Sequence, residues 1–282
     1  MKNGMVILNY NDSENTKLIL EEIKDFKILD AIIVVDNHST DNSVEVLKKF
    51  ENKKIKIVEA KENKGYAAGN NVGIKYLIDH FEVDNIIISN PDIIVTEKEI
   101  EKLVKDLEDK RVSVIAPNVK EPLGISCGWK LPTFLSELVS NIPFFRRFEF
   151  SLLSYPKEEY KKKLTKVDVV KGCFFIIKKE VFENIDLFDE NTFLYYEEII
   201  MAKKLQEKGY TTYVDNEVTV IHALSQCVDK NVKRIEKFKI LKTSQFYYEK
   251  YINKMDFFKL MLLRIFYYIY LFGLEIESFI RK

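Results

Sequence analysis

The sequence contains little cysteine, glycine or proline, with 3, 9 and 6 residues among 282. The cysteines are odd in number and none forms a CxxC pair, which argues against a disulfide framework or a zinc knuckle and favours a reducing, cytoplasmic setting. A hydrophobic content of 46% with 31% charged residues is typical of an ordered globular protein and excludes the disordered class. The length allows one large domain or two small ones with a full core.

The sequence also has no net charge, because 44 Lys and Arg residues are balanced by 44 Asp and Glu residues. This balance removes the overall positive field on which nucleic-acid binding usually depends, so we expect no nucleic-acid partner. The N-terminal stretch MKNGMVILNYND lacks the shape of a signal peptide, since its apolar part is short, and we expect no export.

Two common nucleotide-binding motifs are missing. No GxGxxG opens a helix after the first predicted strand, and no GxxxxGK[ST] occurs anywhere in the chain. Because these motifs place backbone N–H groups around phosphates, their absence argues against a nicotinamide-dependent dehydrogenase and a P-loop enzyme.

Short apolar runs alternate with helical patterns over the first 117 residues. Asn, Asp, Gly or Pro bounds each run, and the segments between the runs carry apolar residues at three- and four-residue intervals. The pattern predicts strands at Met5–Leu8, Ala31–Val35, Ile55–Val58, Asn85–Ser89 and Val112–Ala116, and helices at Ser13–Phe26, Ser43–Phe50, Gly69–Phe81 and Glu97–Leu107. Such alternation predicts an α/β protein with a mostly parallel central sheet flanked by helices.

Ligands of such a sheet bind beyond the carboxyl ends of its strands. We therefore expect the loops that start at Asn9, Asp36, Ala60 and Asn90 to converge on one site.

The second half of the sequence is less regular. Residues 118–166 interrupt the alternation with four prolines and the only Trp, which fits a lid, an acceptor-binding segment or a membrane-facing segment. A strand pattern then returns, and the remainder is predicted to contain a strand at Val167–Lys178, a helix at Glu197–Lys208, strands at Thr211–Val214 and Val218–His222, and further helices.

Polar clusters follow the predicted strands in a fixed order. They are NYND at 9–12, VVDNHSTD at 34–41, NKGYAAGNNVG at 63–73, NPD at 90–92, GCFF from 172, FDENTFLYYEE at 188–198 and VIH ending at 222. This set resembles the family 2 inverting glycosyltransferases of the GT-A fold, most closely their rhamnosyltransferase-like branch, over roughly residues 4–225. The resemblance implies transfer of a sugar from a nucleoside diphosphate, with dTDP-rhamnose or a UDP-sugar as donor, to a glycan or lipid-linked acceptor in bacterial surface polysaccharide synthesis.

The first two clusters are candidates for binding the nucleotide base. Asn9 and Tyr10 follow a buried strand and can offer backbone groups and a ring face to a base, although a polar turn explains them equally well. The resemblance assigns Asp36 to the N3 proton of uracil or thymine. The alternative for Asp36 is a helix cap or an Asx-turn, for which Ser39 and Asp41 are better suited.

The third cluster is a candidate for the donor's diphosphate. Its glycines recur every four residues, which places them on one helix face and permits close backbone approach. Relatives carry an arginine where this chain has Asn70, so Lys64 is the candidate for a charge contact to phosphate. The resemblance adds Asn63, Gly65 and Asn71 to the substrate-binding residues.

The NPD cluster resembles the DXD motif of this branch, whose last acid holds a metal. The resemblance makes Asp92 the metal ligand, places Asn90 at the substrate and suggests His222 as a second ligand, although relatives often have another histidine at Ala223. A tight turn fixed by proline is the alternative. A cation neutralises the charge that develops on a diphosphate leaving group. Mg²⁺ suits one carboxylate with diphosphate oxygens, and a histidine ligand favours Mn²⁺.

The FLYYEE cluster supplies the base that the attacking hydroxyl requires. Glu197 and Glu198 match the family's ED pair, so the resemblance makes Glu198 the catalytic base and Glu197 its neighbour or an acceptor contact. An acidic first helical turn is the alternative. This chain departs from the family in having Glu rather than Asp as the base and Ile200 where a further acid is common, which leaves an altered acceptor range open.

These observations predict a GT-A catalytic domain at 1–228, with a nucleotide-binding half at 1–117 and an acceptor half at 118–228, and a C-terminal helical extension at 229–282. Two other functions stay open at this point. One is a non-catalytic partner that keeps the fold, which the departures at Asn90, Ile200 and Ala223 favour. The other is a sugar-nucleotide nucleotidyltransferase, which would need an N-terminal glycine-rich loop that Met5–Asp12 does not contain.

The C-terminal extension is basic and aromatic. From Asp229 onward there are 12 basic and 6 acidic residues, and 12 aromatic residues lie between Phe246 and Phe279. The run FFKLMLLRIFYYIYLFGL at 257–274 is very apolar but is interrupted by Lys259 and Arg264. Two interpretations carry equal weight: docking on the inner face of a membrane, or packing in a helical homodimer.

Overall fold

The computed structural model describes residues 1–122, 124–142, 145, 148–223 and 233–280, with side chains as far as 276. Ten strands form one sheet: β1 Asn3–Asn9, β2 Ala31–Asp36, β3 Ile55–Glu59, β4 Asn85–Ser89, β5 Ile93–Ile94, β6 Val114–Glu121, β7 Gly124–Ser126, β8 Leu164–Val167, β9 Phe174–Lys178 and β10 Thr212–His222. The predicted boundary at 228 between catalytic domain and extension lies outside the described residues and stays a prediction. One of the three cysteines, Cys227, also lies outside the described residues.

Helices cover the sheet and form the C-terminal part. They are α1 Ser13–Ile23, α2 Ser43–Lys48, α3 Tyr66–His80, α4 Glu97–Asp106, α5 Phe134–Ser140, α6 Glu149–Leu153, α7 Lys179–Asn184, α8 Glu197–Glu207, α9 Arg234–Tyr247 and α10 Phe257–Ile280. A 3₁₀ turn at Glu159–Lys161 and a π-helical turn at Tyr248–Ile252 complete the described elements.

The sheet order is β3-β2-β1-β4-β9-β6-β10-β5, with β7 beside β6 and β8 beside β10. Strands β1 to β4 are parallel, β9 runs antiparallel between β4 and β6, and β10 is parallel to β6. The α/β class and the flanking helices are confirmed, and the sheet is mixed beyond β4. Its parallel half places the ends of β1, β2, β3 and β4 at one edge, as predicted.

Alternating side chains of each central strand enter two hydrophobic cores, one on each face of the sheet. Met5 and Ile7 of β1 pack into the core beneath α1, α2 and α4, and Val6 packs into the core beneath α3, α7 and α8. The face of α3 that meets the sheet needs glycine, because a Cβ atom on Gly73 would lie 2.6 Å from side-chain atoms of both Val6 and Val35. The close approach predicted from the glycine spacing is therefore present.

Several predicted boundaries were wrong, including the end of the strand predicted at Val112–Ala116, which is β6 and continues to Glu121. Helix α3 begins at Tyr66 rather than at Gly69. The predicted strand at Val167–Lys178 is the end of β8, an extended segment and then β9. The two predicted strands Thr211–Val214 and Val218–His222 are one strand, β10, whose pairing shifts between Asp215 and Thr219. The Asp215 side chain accepts from the Glu217 backbone N–H at 2.8 Å, and this local turn makes the irregularity that resembles a loop in the sequence.

Candidate active site

Strand β5 brings Asp92 beside His222, which lies far away in the sequence. It pairs antiparallel with the end of β10, so that His222 is opposite Ile93, and the Ala223 N–H donates to the Asp92 carbonyl at 3.0 Å. The His222 Nε2 atom lies 3.2 Å from Asp92 Oδ1. The two residues predicted as metal ligands are thus neighbours at the edge where β4 ends.

Glu121 and Lys171 lie on the other side of the His222 ring. The ring Nδ1 atom is 2.9 Å from Glu121 Oε1, and Lys171 Nζ donates to Glu121 Oε2 at 2.6 Å. Burial opposes protonation of the imidazole, but the carboxylates of Asp92 and Glu121 outweigh it and raise the pKa of His222. Burial likewise favours neutral Glu121, yet Lys171 and His222 outweigh it and lower the pKa of that carboxyl.

This arrangement fits a divalent cation. The Nε2 atom of His222 is buried and has no hydrogen-bond partner of acceptable geometry among the described residues, although Asp92 is close. Histidines that bind metals usually direct their other ring nitrogen at a carboxylate, as His222 does toward Glu121. Within the described part of the chain no three His, Cys, Asp or Glu side chains cluster as a complete metal site, so oxygens of a substrate and water would fill the remaining positions.

Glu197 and Glu198 begin helix α8, where Glu197 is buried and Glu198 is half-buried. Glu197 is 5% exposed, and its Oε1 atom has no hydrogen-bond partner among the described residues. Burial raises the pKa of Glu197 to about 8, with the charge of Glu198 adding to the effect. Burial also raises the pKa of Glu198, which backbone N–H groups and Lys171 oppose. An acidic turn that only complements the helix dipole would stay in solvent, so this burial favours a role in chemistry.

Gly172 and Tyr66 connect the two halves of the site. A Cβ atom on Gly172 would lie 3.8 Å from Oε2 of Glu198, so this glycine lies directly against the proposed base. The Tyr66 hydroxyl donates to the Gly172 carbonyl at 2.8 Å and is 3.2 Å from Asn90 Oδ1. Burial and the nearby acidic groups raise the pKa of Tyr66 well above its ordinary value, which keeps the hydroxyl a neutral donor. The turn that carries Asp92 and the start of α8 are thereby held at one place.

The predicted base-binding residues lie at the end of β1 and β2. Asp36 accepts from the Asn9 amide at 2.8 Å and from the Ser39 N–H at 2.8 Å, so the Asx-type contact considered from the sequence is present. A carboxylate oxygen can accept a second hydrogen bond, and base binding by Asp36 stays a prediction. The Asn9 side chain is fully buried between Asp36 and Thr16. It orients Asp36 and has no surface for a ligand, whereas Tyr10 is half-buried beside it.

The residues of the third cluster differ in how far they are exposed to solvent. Asn63 Oδ1 accepts from the Asn37 amide and from the Gly65 N–H, both at 3.0 Å. Lys64 is exposed and pairs with Glu62 at 2.8 Å, so its predicted phosphate contact stays a prediction. Gly65 has φ +100°, and a Cβ atom there would lie only 1.9 Å from the Phe193 carbonyl oxygen. Glycine is required here because the backbone meets the segment that leads into α8.

Asn71 contacts that same segment rather than a cleft. Its amide donates to the Phe188 carbonyl at 3.0 Å and to Glu190 at 2.8 Å, and its oxygen accepts from the Phe188 N–H at 3.2 Å. Asn71 is 2% exposed and its polar groups bond to this segment, and its predicted substrate contact stays a prediction. The buried Asn70 donates to the Tyr66 carbonyl at 3.0 Å within α3.

A groove of about 1260 Å³ opens from Glu121 and Lys171. It is formed by β7, the turn after it and α6, and its lining includes four aromatic and two further basic side chains: Trp129, Phe150, Tyr155, Tyr160, Lys130 and Lys157. The groove lies in the 118–166 region, for which the sequence allowed an acceptor-binding segment among other interpretations.

Sequence reasoning missed Tyr66, Glu121 and Lys171. Lys171 immediately precedes the GCFF cluster and Tyr66 lies inside the NKGYAAGNNVG cluster, so adjacency to known clusters was the available signal. Glu121 has no such neighbour, because only the pairing of β6 with β10 brings it to His222.

Comparison with known proteins agrees with this geometry. The model of the family described as "Glycosyl transferase family 2" matches residues 5–186. The low-salt glycan biosynthesis hexosyltransferase Agl10 of Haloferax volcanii is 28% identical over 227 residues, which cover 80% of this chain and 68% of that protein. The O-antigen chain rhamnosyltransferase RfbN of Salmonella typhimurium is 26% identical over 227 residues, covering 79% of this chain and 67% of that protein.

A solved structure supports the fold. GalNAc-T7 with UDP, GalNAc and Mn²⁺ superimposes with a TM-score of 0.62 at 14% identity. The match covers 79% of this chain but only 44% of that protein, so the likeness concerns one part of a larger structure. The described architecture is a GT-A fold.

Proposed function

The chain belongs to glycosyl transferase family 2, and we propose that it is a metal-dependent inverting enzyme that uses a nucleoside diphosphate sugar and a lipid-linked or glycan acceptor. The observation that carries the proposal is the link through Tyr66, which joins the turn of Asn90 and Asp92 to the carbonyl of Gly172, against which Glu198 lies. This link supports a site for the leaving diphosphate close to a half-buried carboxylate that would serve the attacking hydroxyl.

Asp92 and His222 are the residues that would hold the cation, and Glu121 orients the histidine. A bound Mg²⁺ or Mn²⁺ would neutralise the charge that develops on the leaving diphosphate. The Mn²⁺ named with GalNAc-T7 supports a divalent ion, and the nitrogen ligand favours Mn²⁺ here.

Glu198 acts on the acceptor. Its ionised carboxylate takes the proton of the acceptor hydroxyl while the oxygen forms a bond to the anomeric carbon. The bond from that carbon to the diphosphate oxygen breaks at the same time, and its electron pair leaves with the nucleoside diphosphate. Attack opposite the leaving group inverts the anomeric centre. The similarity to a dTDP-rhamnosyl transferase of Shigella flexneri supports dTDP-rhamnose as the first donor to test, with UDP-sugars next.

A panel of sugar nucleotides tests the donor. We expect one dTDP- or UDP-sugar, with Mn²⁺, to raise the melting temperature and to release its nucleoside diphosphate slowly to water, because ligands of the folded state stabilise it by mass action. Omitting Mn²⁺ should abolish both effects. Protection against heat without any turnover would instead support the non-catalytic partner, and protection by nucleoside triphosphates with release of pyrophosphate would support a nucleotidyltransferase.

The groove beside Lys171 is the proposed acceptor site. Its aromatic side chains can stack on sugar rings, and Lys130 and Lys157 add positive charge to that of Lys171. A sugar that carries a phosphate group suits both features, because its ring can stack on the aromatic side chains and its phosphate can pair with the lysines. Phe150, which lines the groove, is 75% exposed and adds an apolar ring that a lipid chain could contact. This supports a lipid-linked phosphosugar.

Helix α10 forms another apolar surface: it has the length and composition of a membrane span over Phe257–Ile276, and only 11% of that stretch is buried. Leu263 and Leu274 face the protein, and Tyr267 stacks on Phe238 of α9. Because one side of α10 packs along the protein, we propose that the helix lies in the membrane interface instead of crossing it. The opposite side presents exposed apolar side chains: Phe257, Phe258, Met261, Leu262, Ile265, Tyr268, Ile269, Phe272 and Ile276.

Anionic lipid is the partner that the charge of this region favours over a second copy of the chain. The segment from Asp229 onward carries 12 basic and 6 acidic residues, which repel the same segment of another copy and attract anionic headgroups. Docking by this surface would place the groove next to lipid-linked acceptors at the inner face of a membrane.

Vesicle flotation tests the docking. The full chain should float with anionic vesicles at low salt, and the double variant F258E/F272E should lose most of this binding, because each charge must enter the apolar layer. Leu18→Glu is the matched control, since Leu18 is 67% exposed on α1. If the full chain does not float and removal of residues after Lys254 turns a dimer into a monomer, the surface is a homodimer interface.

A further inference from the structure

The turn that leads into α8 has an unusual backbone. Tyr195 and Tyr196 are consecutive residues with φ of +71° and +73°, in the left-handed region that side chains other than glycine rarely adopt. Tyr196 is the residue immediately before Glu197, and its backbone carbonyl accepts from the Ile200 N–H at 2.8 Å. Two such residues in succession persist only where the surroundings fix them, and strain of this kind is concentrated at functional sites. The direction in which Glu197 and Glu198 leave the turn depends on this conformation.

A buried carboxylate fixes the second of these tyrosines. The Tyr196 hydroxyl lies 2.7 Å and 2.9 Å from the two carboxylate oxygens of Glu137, to which it donates. Glu137 belongs to α5 and is 3% exposed. It also accepts from the amide of Gln245, a fully buried residue of α9. Burial raises the pKa of Glu137, and two donors from two different elements hold this carboxyl group inside the protein.

Helix α9 and the π-helical turn hold the same segment at further points. Ser244 Oγ donates to the Leu194 carbonyl at 2.8 Å, and the Tyr247 hydroxyl donates to Asp189 at 3.0 Å. The ring of Tyr248 packs on that of Tyr196 with 5.7 Å between centroids. The C-terminal helices are therefore in direct contact with the segment that ends at the proposed base.

We propose that Glu137 is a positioning residue for the transfer reaction, which fixes the left-handed turn at Tyr196 and so directs Glu198 at the acceptor hydroxyl. Gln245 orients Glu137, which makes α9 part of the catalytic unit. This inference rests on the proposed function, because it takes Glu198 as the base. Ile200, which replaces an acid of relatives, is fully buried against Tyr196 and Tyr248 and supports the turn by packing.

Two conservative variants test the inference in the full-length protein. Tyr196→Phe removes only the hydroxyl, and Glu137→Gln keeps the shape of the side chain. Asp215→Asn is the control, because Asp215 is also fully buried but accepts from the Glu217 N–H within β10, away from Glu137 and Tyr196. The first readout is amide hydrogen exchange, which needs no substrate. We expect exchange in residues 193–200 to accelerate about 10-fold or more in both variants and to stay unchanged in the control.

The second readout is turnover of the donor found in the panel, dTDP-rhamnose with Mn²⁺ being the first probe. We expect kcat for transfer to fall about 10- to 100-fold in Tyr196→Phe with the donor KM unchanged, because small displacements of a catalytic group have effects of this size. In a Glu198→Gln background the same change should have no further effect, which a merely structural role would not produce.

The outcomes separate the two proposals. Unchanged exchange in both variants, faster exchange without loss of kcat, or an equal loss in Asp215→Asn would overturn the positioning role. If Glu137→Gln does not fold, Tyr196→Phe alone decides. Full activity in Glu198→Gln would contradict the proposed base itself, whatever the exchange data show.

Discussion

Replacing Glu198 with glutamine should lower the rate of sugar transfer by about 10² to 10⁴-fold, the usual contribution of a positioned base. Glutamine keeps the size of the side chain and its place against Gly172 but cannot accept the acceptor's proton. Donor affinity should be unchanged, since Asp92 and His222 are untouched. Steady-state transfer rates and calorimetric donor titration measure the two quantities separately.

Glu197→Gln is the control for this assignment, and its effect is expected to be smaller.

Burial raises the pKa of both carboxyls, so an ionised base is lost as the pH falls through a value above the ordinary range of glutamate. Transfer by the wild type should therefore decline on the acid side at a higher pH than an exposed glutamate would produce. Burial and the charge of Glu198 raise the pKa of Glu197 to about 8, so Glu197 is neutral where Glu198 titrates, and Glu197→Gln should leave this decline at nearly the same pH. A greater loss in Glu197→Gln than in Glu198→Gln would identify Glu197 as the base.

The N-terminal half of the fold could be predicted because its signals are local. The β2 run AIIVVD is apolar and buried on both faces, so the continuous hydrophobic run marks it without any tertiary information. Parallel strands then place Asn9 and Asp36 at one edge, where register pairs them directly. The orientation of Asn9 was not predictable, because an amide at a strand end can bind either a ligand or a neighbouring residue. In the folded protein, its hydrogen bonds to Thr16 and Asp36 fix the side chain.

The second half depends on contacts between distant segments. β5 has only two residues, which no periodicity can detect, yet it brings Asp92 to His222. Glu121 reaches the site because β6, which carries it, pairs with β10. Glu137 is an acidic residue in an apolar stretch, and a sequence pattern predicts that such a residue lies on the solvent-facing side of its helix. Its burial follows from Tyr196 and Gln245, which are 59 and 108 positions away. Polar residues whose partners are this remote carry no local signal.

The alanine variant of Asp92 should lose metal-dependent donor binding. In the folded protein its side chain lies against His222, and its backbone carbonyl, which accepts from Ala223, is retained in the variant. Stability should change by about 1 kcal/mol or less, which is about 2 °C in melting temperature for a chain of this length, because strand-end loops contribute less to the core than to chemistry. The variant should bind nucleoside diphosphate equally weakly with and without Mn²⁺.

Two comparison variants define the metal contribution by calorimetry. Glu121→Gln keeps Asp92 and His222 but weakens the orientation of the imidazole, and it should reduce Mn²⁺-dependent affinity by about 10- to 100-fold. Asp84→Ala, at the opposite end of β4, changes a carboxylate that accepts from the Lys2 N–H and should leave metal dependence intact. The expected order of loss is Asp92→Ala, then Glu121→Gln, then Asp84→Ala. If Asp92→Ala kept the wild-type difference between titrations with and without Mn²⁺, the cation would have to be held elsewhere, and the arrangement of Glu121, His222 and Asp92 would be a structural ion-pair network only.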